Sequence, residues 1–237
     1  MIGALFGLFI SLIPLLSYGT TVQQDLLSPL TTDAAPNFWS GTAITTYLLI
    51  TEDTISDVAS KKTSNKKPLG DASKLGDLYG QVYPNMFYFA GMGLHGLFTN
   101  SRHSYGRAAH MFKATLYAGL TATLIKYTVR EPRPNAIHEK NSFPSGHTTT
   151  AFAFATVVAT QHEWYWGLLA LGGAGLTGYS RMNDGRHFLH DVVAGMTIGV
   201  SYGLGTYFTQ YRGQGKKYAF APIIDNNSTG LRIVASW

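Results

Sequence analysis

The sequence predicts an all-α protein, a multi-helix bundle of about six membrane-spanning or membrane-associated helices with a short C-terminal β-hairpin. Apolar residues make up 45% of the chain and charged residues only 13%, which is sparse charge for an ordinary soluble protein. Five helix-sized apolar segments, separated by short polar breaks, lie at 84–100, 108–126, 146–161, 164–181 and 188–210.

The chain divides into four parts. Residues 1–19 hold an uncharged apolar run that ends in Ser17-Tyr18-Gly19, which resembles a small-residue cleavage site, and they predict a signal peptide or an N-terminal anchor. Residues 20–83 are interpreted as a polar, partly helical connection, because lysines and Gly70-Asp71 interrupt the apolar periodicity. Residues 84–210 form the helical core. In the tail, 211–237, β-branched and aromatic residues on either side of Asp225-Asn226-Asn227 predict a hairpin.

Two features of the core bear on whether its helices span a membrane. Every fourth residue from Phe112 to Leu124 is apolar, and this stripe is predicted to face the core. Only 12 uncharged residues separate Lys113 from Lys126, whereas a membrane span needs about 20. If the N-terminal run and the five later segments all span, the following basic residues lie on the cytoplasmic side and the motifs described below face outward: Arg102, Arg107, Arg212, Lys216 and Lys217.

The composition also excludes several kinds of site. The chain has no cysteine, so it has no disulfide, no thiolate metal site and no thiol nucleophile. A formal net charge of +5 is modest and its basic residues are dispersed, so no nucleic-acid partner is expected. Neither a cofactor nor a metal is predicted, because five histidines lack the spacing to carboxylates that a metal centre requires: His95, His103, His110, His138 and His162.

Three motifs carry the chemistry, and they occur in a fixed order. Any one of them arises easily by chance, whereas all three together are highly specific. The first is Lys126 followed, after six residues, by Arg133-Pro134, and the second is Pro144-Ser145-Gly146-His147. The third is Ser180-Arg181 followed, after five residues, by His187 and, after three more, by Asp191. With these motifs the sequence resembles the type 2 phosphatidic acid phosphatase superfamily, which also includes bacterial nonspecific acid phosphatases and the vanadium haloperoxidases. The resemblance covers residues 84 to 210.

The residues themselves indicate a division of labour. The i, i+4 spacing of His187 and Asp191 is expected to put both side chains on one helix face, where Asp191 fixes the imidazole tautomer and leaves the other ring nitrogen free to attack phosphorus. His147 is then the general acid that protonates the leaving alcohol, and in its neutral form it activates the hydrolytic water. His190, about 100° around the helix from His187, is interpreted as peripheral.

The phosphate site is assigned to five further residues. Ser145 and Gly146 stand at the predicted start of a helix, where free backbone N–H groups attract an anion. Lys126, Arg133 and Arg181 supply the cations that a transferring phosphoryl group requires. Five neighbours within the motifs are expected to line the mouth and tune substrate choice: Arg130, Glu131, Asn183, Asp184 and Arg186.

The sequence thus predicts a metal-independent hydrolase that removes phosphomonoester or diphosphate groups from a membrane lipid through a phosphohistidine on His187. The resemblance implies phosphatidate, phosphatidylglycerol phosphate, polyprenyl diphosphate or lipid A as substrates. The expected location is the inner membrane of a bacterial-type envelope, with the active site facing the periplasm. Two alternatives remain open, a soluble periplasmic acid phosphatase of broad specificity and a vanadium-dependent haloperoxidase.

Overall fold

The computed structural model describes residues 19–211, 217–225 and 228–236. The predicted signal peptide or anchor therefore lies, except for Gly19, outside the described residues. Nine α-helices are found in the described part: α1 (Val22–Thr31), α2 (Ala35–Ile50), α3 (Asp57–Lys66), α4 (Ser73–Gly80), α5 (Tyr83–Thr99), α6 (Arg102–Val129), α7 (Gly146–Gln161), α8 (Trp164–Asn183) and α9 (Leu189–Gln210). A π-helical turn, Glu52–Ser56, precedes α3, and a 3₁₀ turn, Gly70–Ala72, precedes α4.

The five predicted segments correspond to helices α5 to α9, so the all-α class is confirmed. Helix α6 differs most from its prediction and begins six residues earlier, at Arg102. Its start is set by Ser101, whose hydroxyl accepts a hydrogen bond from the Ser104 backbone N–H at 3.3 Å. Such a cap satisfies one of the free N–H groups of the first turn. The helix ends where Arg130 takes the left-handed conformation.

Helix α9 is the centre of the bundle and packs against α1, α2, α6 and α7. Gly195, Gly199 and Gly203 form a stripe along the side of α9 that faces α7. A Cβ atom at Gly195 would lie 2.6 Å from the carbonyl oxygen of Ser145, and one at Gly199 would lie 2.5 Å from that of Thr149. Any larger residue would push the two helices apart. Their close approach brings the start of α7 next to the start of α9.

The predicted core stripe on α6 was wrong at its second half. Leu120 is 55% exposed and Leu124 is 70% exposed, while Phe112 and Leu116 are only partly buried. The buried face of α6 instead carries small residues together with Met111 and Tyr117: Ala108, Ala109, Ala114, Ala118 and Ala122. Small residues let helix backbones approach closely, a pattern common where large apolar side chains face lipid.

The interpretation of 20–83 as a polar connection also needs correction. This segment contains four helices, and α2 packs against α9 while α4 packs against α8. Its serines make buried contacts with the first turn of α9. The Ser60 hydroxyl accepts from the Leu189 N–H at 2.9 Å, and the Ser56 hydroxyl accepts from the His190 N–H at 3.2 Å. Ser56 and Ser60 of this polar segment therefore cap the start of another helix, which local sequence does not reveal.

The tail forms the predicted hairpin within its described residues. Strands β1 (Lys217–Asp225) and β2 (Ser228–Ser236) pair antiparallel, with Asp225 opposite Ser228. Among the helices of the described part, none combines the length and the apolar character needed to cross a bilayer.

Candidate active site

The predicted nucleophile and its carboxylate meet at the start of α9. His187 does not lie on a helix, as its spacing suggested, but in the turn between α8 and α9. Asp191 lies in the first turn of α9, and its Oδ2 atom is 3.3 Å from His187 Nδ1. The same oxygen accepts the Phe188 backbone N–H at 2.8 Å. Asp191 thus both caps the first turn of α9 and contacts the His187 imidazole.

The turn that carries His187 is built from the end of α8. The carbonyl oxygen of Arg181 accepts the backbone N–H groups of Arg186 at 2.9 Å and of His187 at 3.3 Å. Gly185 adopts a positive φ of 62°, a conformation that side chains disfavour. A Cβ atom there would also lie 1.8 Å from Asn135 Nδ2. A glycine is therefore required for the turn that places His187 beside Arg181.

The electrostatics of this pair suit a nucleophile. Burial lowers the pKa of His187, and the charges of Lys126 and Arg181 lower it further, although Asp191 opposes the shift. Burial by itself raises the pKa of Asp191, but its hydrogen bonds and the neighbouring histidines outweigh burial and hold the pKa below its usual value. A neutral imidazole next to an ionised carboxylate donates from Nδ1, which leaves the Nε2 lone pair free.

Sequence reasoning missed Ser142. This buried residue donates from its hydroxyl to Asp191 Oδ2 at 2.6 Å and lies 3.5 Å from His187 Nδ1. It precedes Pro144 by two positions, so its place beside a recognised motif was the only available signal. Its hydroxyl is one of the donors that converge on Asp191 Oδ2, together with the Phe188 backbone N–H.

Lys126 lies in the last turn of α6, and its Nζ atom contacts the loop before α7. It donates to the carbonyl oxygens of Asn141 at 2.5 Å, Ser142 at 3.2 Å and Pro144 at 2.8 Å. Burial lowers its pKa to about 8, with Arg133 adding to the effect and the carboxylates of Asp191 and Glu131 opposing it. The lysine therefore holds the loop that carries Ser142 as well as bringing charge to the site.

The two arginines are held by polar partners. Arg133 Nε donates to Asn141 Oδ1 at 2.7 Å and lies 3.3 Å from Glu139 Oε2. Arg181 is nearly buried and pairs through Nη1 with the carboxylate of Asp77, a residue of α4 that sequence reasoning did not single out. Arg181 Nε is buried and has no hydrogen-bond partner among the described residues.

The second motif forms the start of α7, as predicted. Ser145 is the N-cap residue, but its hydroxyl caps no backbone N–H. It lies instead 2.9 Å from Thr148 Oγ1, in a fully buried position. A Cβ atom at Gly146 would meet no atom within 4 Å, so the helix start is open at that point. His147 follows in the first turn, partly exposed, with Nε2 3.5 Å from Asp77 Oδ1.

The interpretation of His190 as peripheral was wrong. Its ring is buried, with Nδ1 2.8 Å from Ser56 Oγ and Nε2 2.8 Å from Glu131 Oε1. Glu131, His190 and Asp191 are also close enough to be considered as metal ligands, with donor atoms within 4.8 Å of one another. Burial lowers the pKa of His190, but the hydrogen bond to Glu131 and the nearby carboxylates outweigh it and raise the pKa. Both ring nitrogens of His190 lie within hydrogen-bond distance of a protein partner, which favours a hydrogen-bonded cluster.

Of the residues expected at the mouth, Asn183 lies elsewhere. It is buried, and its side-chain oxygen accepts the Leu69 backbone N–H at 3.1 Å, which ties the loop before α4 to the end of α8. Arg186 lies near the surface, 3.9 Å from Glu139.

A histidine paired with a carboxylate, beside a second histidine and three cations, is the set of groups that phosphoryl transfer requires. The sequence model of the PAP2 superfamily matches residues 107–214. The match includes all three motifs, and it marks residues 107–214 as similar to that superfamily.

Individual relatives agree with this assignment. A lipid A 1-phosphatase of Rhizobium johnstonii is 29% identical over 171 residues, which are 62% of this chain and 69% of that protein. The undecaprenyl-diphosphatase BcrC of Bacillus subtilis is 32% identical over 108 residues, 38% of this chain and 55% of that protein. Across the curated relatives, the matched part is between 18% and 69% of the relative's own length.

The fold is similar to a solved structure. The crystal structure of a transmembrane PAP2 type phosphatidylglycerolphosphate phosphatase from Bacillus subtilis superposes with a TM-score of 0.55 and 18% sequence identity, over 76% of this chain and 96% of that one. At this identity the likeness bears on the fold alone.

Proposed function

We propose that this protein is a phosphatase that removes a phosphate group from a membrane lipid through a phosphohistidine on His187. The observation that carries the proposal is the contact between His187 Nδ1 and Asp191 Oδ2 at 3.3 Å, because it leaves Nε2 as the free nitrogen. The relatives named lipid A 1-phosphatase and undecaprenyl-diphosphatase support the reaction class.

In the first step, His187 Nε2 attacks phosphorus in line with the leaving oxygen. A P–N bond forms, the P–O bond breaks, and His147 donates a proton to the departing alcohol or phosphate. Lys126, Arg133 and Arg181 stabilise the charge on the three remaining oxygens. Asp191 stabilises the positive imidazole as it forms.

In the second step, water replaces the lipid. His147, now neutral, accepts a proton from the water while its oxygen attacks phosphorus. The P–N bond breaks, inorganic phosphate leaves, and His187 returns to its neutral form. The same histidine thus serves as acid and then as base.

Two surface features support a lipid substrate. Large apolar side chains are exposed on α2, α5, α6 and α8, among them Trp39, Phe87, Phe98, Leu124 and Trp164, and extensive exposed apolar surface marks a membrane or protein contact. A groove between α5 and α6 is lined by Val82, Met86, Phe112, Leu116 and Leu120. Val82, at this groove, is two residues from Gly80, where an added Cβ atom would lie 2.8 Å from the Cβ of His147. Both features support a position at a membrane of the bacterial envelope, and we propose from the distribution of basic residues in the sequence that the site faces the periplasm.

Labelling stopped with an alkaline denaturing quench tests the reaction, because a phosphohistidine is lost in acid. Wild-type protein mixed with a ³²P-labelled aryl phosphate is expected to retain acid-labile, base-stable label, and His187→Ala is expected to retain none. His147→Ala is expected to keep the label, because an aryl leaving group needs no proton. Equal labelling of wild type and His187→Ala would contradict the proposal.

A phosphate-release screen tests the substrate class. Purified protein in detergent is compared on a lipid A 1-phosphate, a polyprenyl diphosphate, phosphatidate and a soluble alkyl phosphate. Faster turnover of the lipids supports the proposal, and a preference for the soluble ester supports the acid phosphatase alternative. Carbonate extraction gives an independent result, because a membrane protein stays in the pellet.

A further inference from the structure

Asp77 brings a fourth element to the site. It lies on α4, outside residues 107–214 that the superfamily model matches. Its carboxylate pairs with Arg181 Nη1, and its Oδ1 atom lies 3.5 Å from His147 Nε2. One carboxylate thus faces a residue of the second motif and a residue of the third.

Close packing of α4 fixes the position of this carboxylate. A Cβ atom at Gly76 would lie 2.7 Å from Ser180 Oγ, and one at Gly80 would lie 2.8 Å from His147 Cβ. The Thr177 hydroxyl donates to the Gly76 carbonyl oxygen at 2.8 Å. Helix α4 therefore rests directly on α8 and on His147, with Asp77 next to the first of these glycines.

We propose that Asp77 is a positioning residue of the reaction, whose carboxylate orients the imidazole of His147 and keeps its proton available for the leaving group. The inference rests on the proposed function and deepens it, since it assigns a role to a residue outside the three motifs. Asp77 forms no bond to phosphorus and acts through His147 and Arg181.

The charges around His147 explain why a carboxylate is needed there. Burial, together with the charges of Arg181, His187 and Arg133, lowers the pKa of His147 to about 4, and Asp77 is the group that opposes this shift. Because three positive or protonatable groups disfavour the imidazolium, a general acid at this position needs a compensating negative charge. The phosphoryl group supplies part of this charge only while substrate is bound, whereas Asp77 is always present.

The test is the pH dependence of kcat for Asp77→Asn on an alkyl phosphate, whose leaving group needs a proton. The rate requires protonated His147, so it falls as pH rises through the pKa of that residue. Removing the carboxylate lowers this pKa, and the alkaline limb is expected to move to lower pH by about one unit. With 4-nitrophenyl phosphate, which leaves without a proton, the limb is expected to shift less.

Two further variants separate charge from structure. Asp71→Asn is the matched control, because Asp71 precedes α4 and pairs with the exposed Lys74 at 2.7 Å; its profile is expected to overlay that of wild type. Asp77→Glu keeps the charge, and the alkaline limb of its kcat profile is expected to return to the wild-type position.

Overlay of the Asp77→Asn and wild-type profiles on the alkyl phosphate would overturn the inference and leave the proposed function standing. A shift in Asp77→Glu equal to that in Asp77→Asn would overturn it as well. If wild type releases no phosphate from any ester, the proposed function and the inference fall together.

Discussion

Ser142 Oγ donates a 2.6 Å hydrogen bond to Asp191 Oδ2, the oxygen that also faces His187 Nδ1 at 3.3 Å. The Phe188 backbone N–H is a third donor to this oxygen, at 2.8 Å. With the hydroxyl and the amide fixed, the carboxylate has one orientation in which it can accept from the imidazole. The relationship predicts that the charge of Asp191 and its anchoring both matter to turnover.

Asp191→Asn is expected to lower kcat by roughly 10²–10³-fold with little change in KM. An amide offers the imidazole a donor as readily as an acceptor, so the wrong tautomer is stabilised; in a serine-protease triad the corresponding change costs about 10⁴-fold. The loss is smaller here because His187 itself attacks phosphorus. Steady-state kinetics with folding checked by circular dichroism provides the measurement, and Asp71→Asn, at an exposed carboxylate before α4, is the control. A folded variant within about threefold of wild type would show that Asp191 is only structural.

Ser142→Ala removes one hydrogen bond and leaves the charge in place. A hydrogen bond to a charged group contributes about 1.5–3 kcal/mol, so kcat is expected to fall by roughly tenfold or more, and by less than in Asp191→Asn. If Ser142→Ala is as active as wild type, the orientation of Asp191 depends on the Phe188 amide alone.

The helices of the core could be predicted because each is a long apolar segment bounded by polar residues, and these boundaries are local. Which side of a helix is buried depends instead on the neighbouring helices and could not be predicted from local sequence. The regular spacing of Leu120 and Leu124 predicted a core stripe, but α6 packs through alanines and its leucines are exposed. In an ordinary soluble protein the larger apolar face is buried, and that assumption failed for a protein with a large exposed apolar surface.

The site could be predicted as far as its motifs extend. Lys126, His147 and His187 could be selected because each stands at a fixed spacing within a short sequence motif. Ser142 and His190 were missed or misjudged because their roles depend on partners such as Ser56, 134 positions from His190. Asp77 is 104 positions from Arg181, and no local pattern connects the two.

Lys126 predicts a second pH effect. Burial lowers its pKa to about 8, so its positive charge is present below that pH and is lost as pH rises through it. KM for a phosphate ester is expected to rise above about pH 8, as one of three clamp charges disappears. Lys126→Arg stays charged at that pH, and its KM is expected to stay flat, provided the guanidinium fits the loop carbonyls. A KM independent of pH from 7 to 10 in wild type would contradict the assigned role.

The Glu131, His190 and Asp191 cluster makes a chelation experiment informative. Because His190 donates to Glu131 at 2.8 Å and the cations of the site are protein side chains, activity is expected to persist in excess chelator. Orthovanadate is expected to inhibit, since it mimics five-coordinate phosphorus. Loss of activity in chelator, restored by magnesium or zinc, would show that this cluster holds a metal.

A buried ion pair far from the site predicts a change in stability without a change in chemistry. Lys113 on α6 and Asp25 on α1 lie 3.1 Å apart, and both side chains are fully buried. Thr20 and Thr209 add hydrogen bonds to the pair at 2.6 Å and 2.9 Å. The pair therefore joins α1, α6 and α9. Lys113 is 13 positions from Lys126, which is about 20 Å along the helix.

Lys113→Met keeps an unbranched side chain of similar length but leaves the Asp25 carboxylate buried without a counter-charge. Removing one partner of such a pair costs about 3–5 kcal/mol, so the thermal midpoint in detergent is expected to fall by roughly 10 °C. The double variant Lys113→Met with Asp25→Asn removes the uncompensated charge and is expected to recover part of the loss. Lys61→Met is the matched control, because Lys61 pairs with Asp57 at 3.1 Å but is 68% exposed, and exposed pairs contribute about 0–1 kcal/mol. Since the chemistry is distant, kcat at 20 °C should remain within about twofold of wild type for all three variants. A midpoint for Lys113→Met equal to that of Lys61→Met would mean that the buried pair does not stabilise the joined helices.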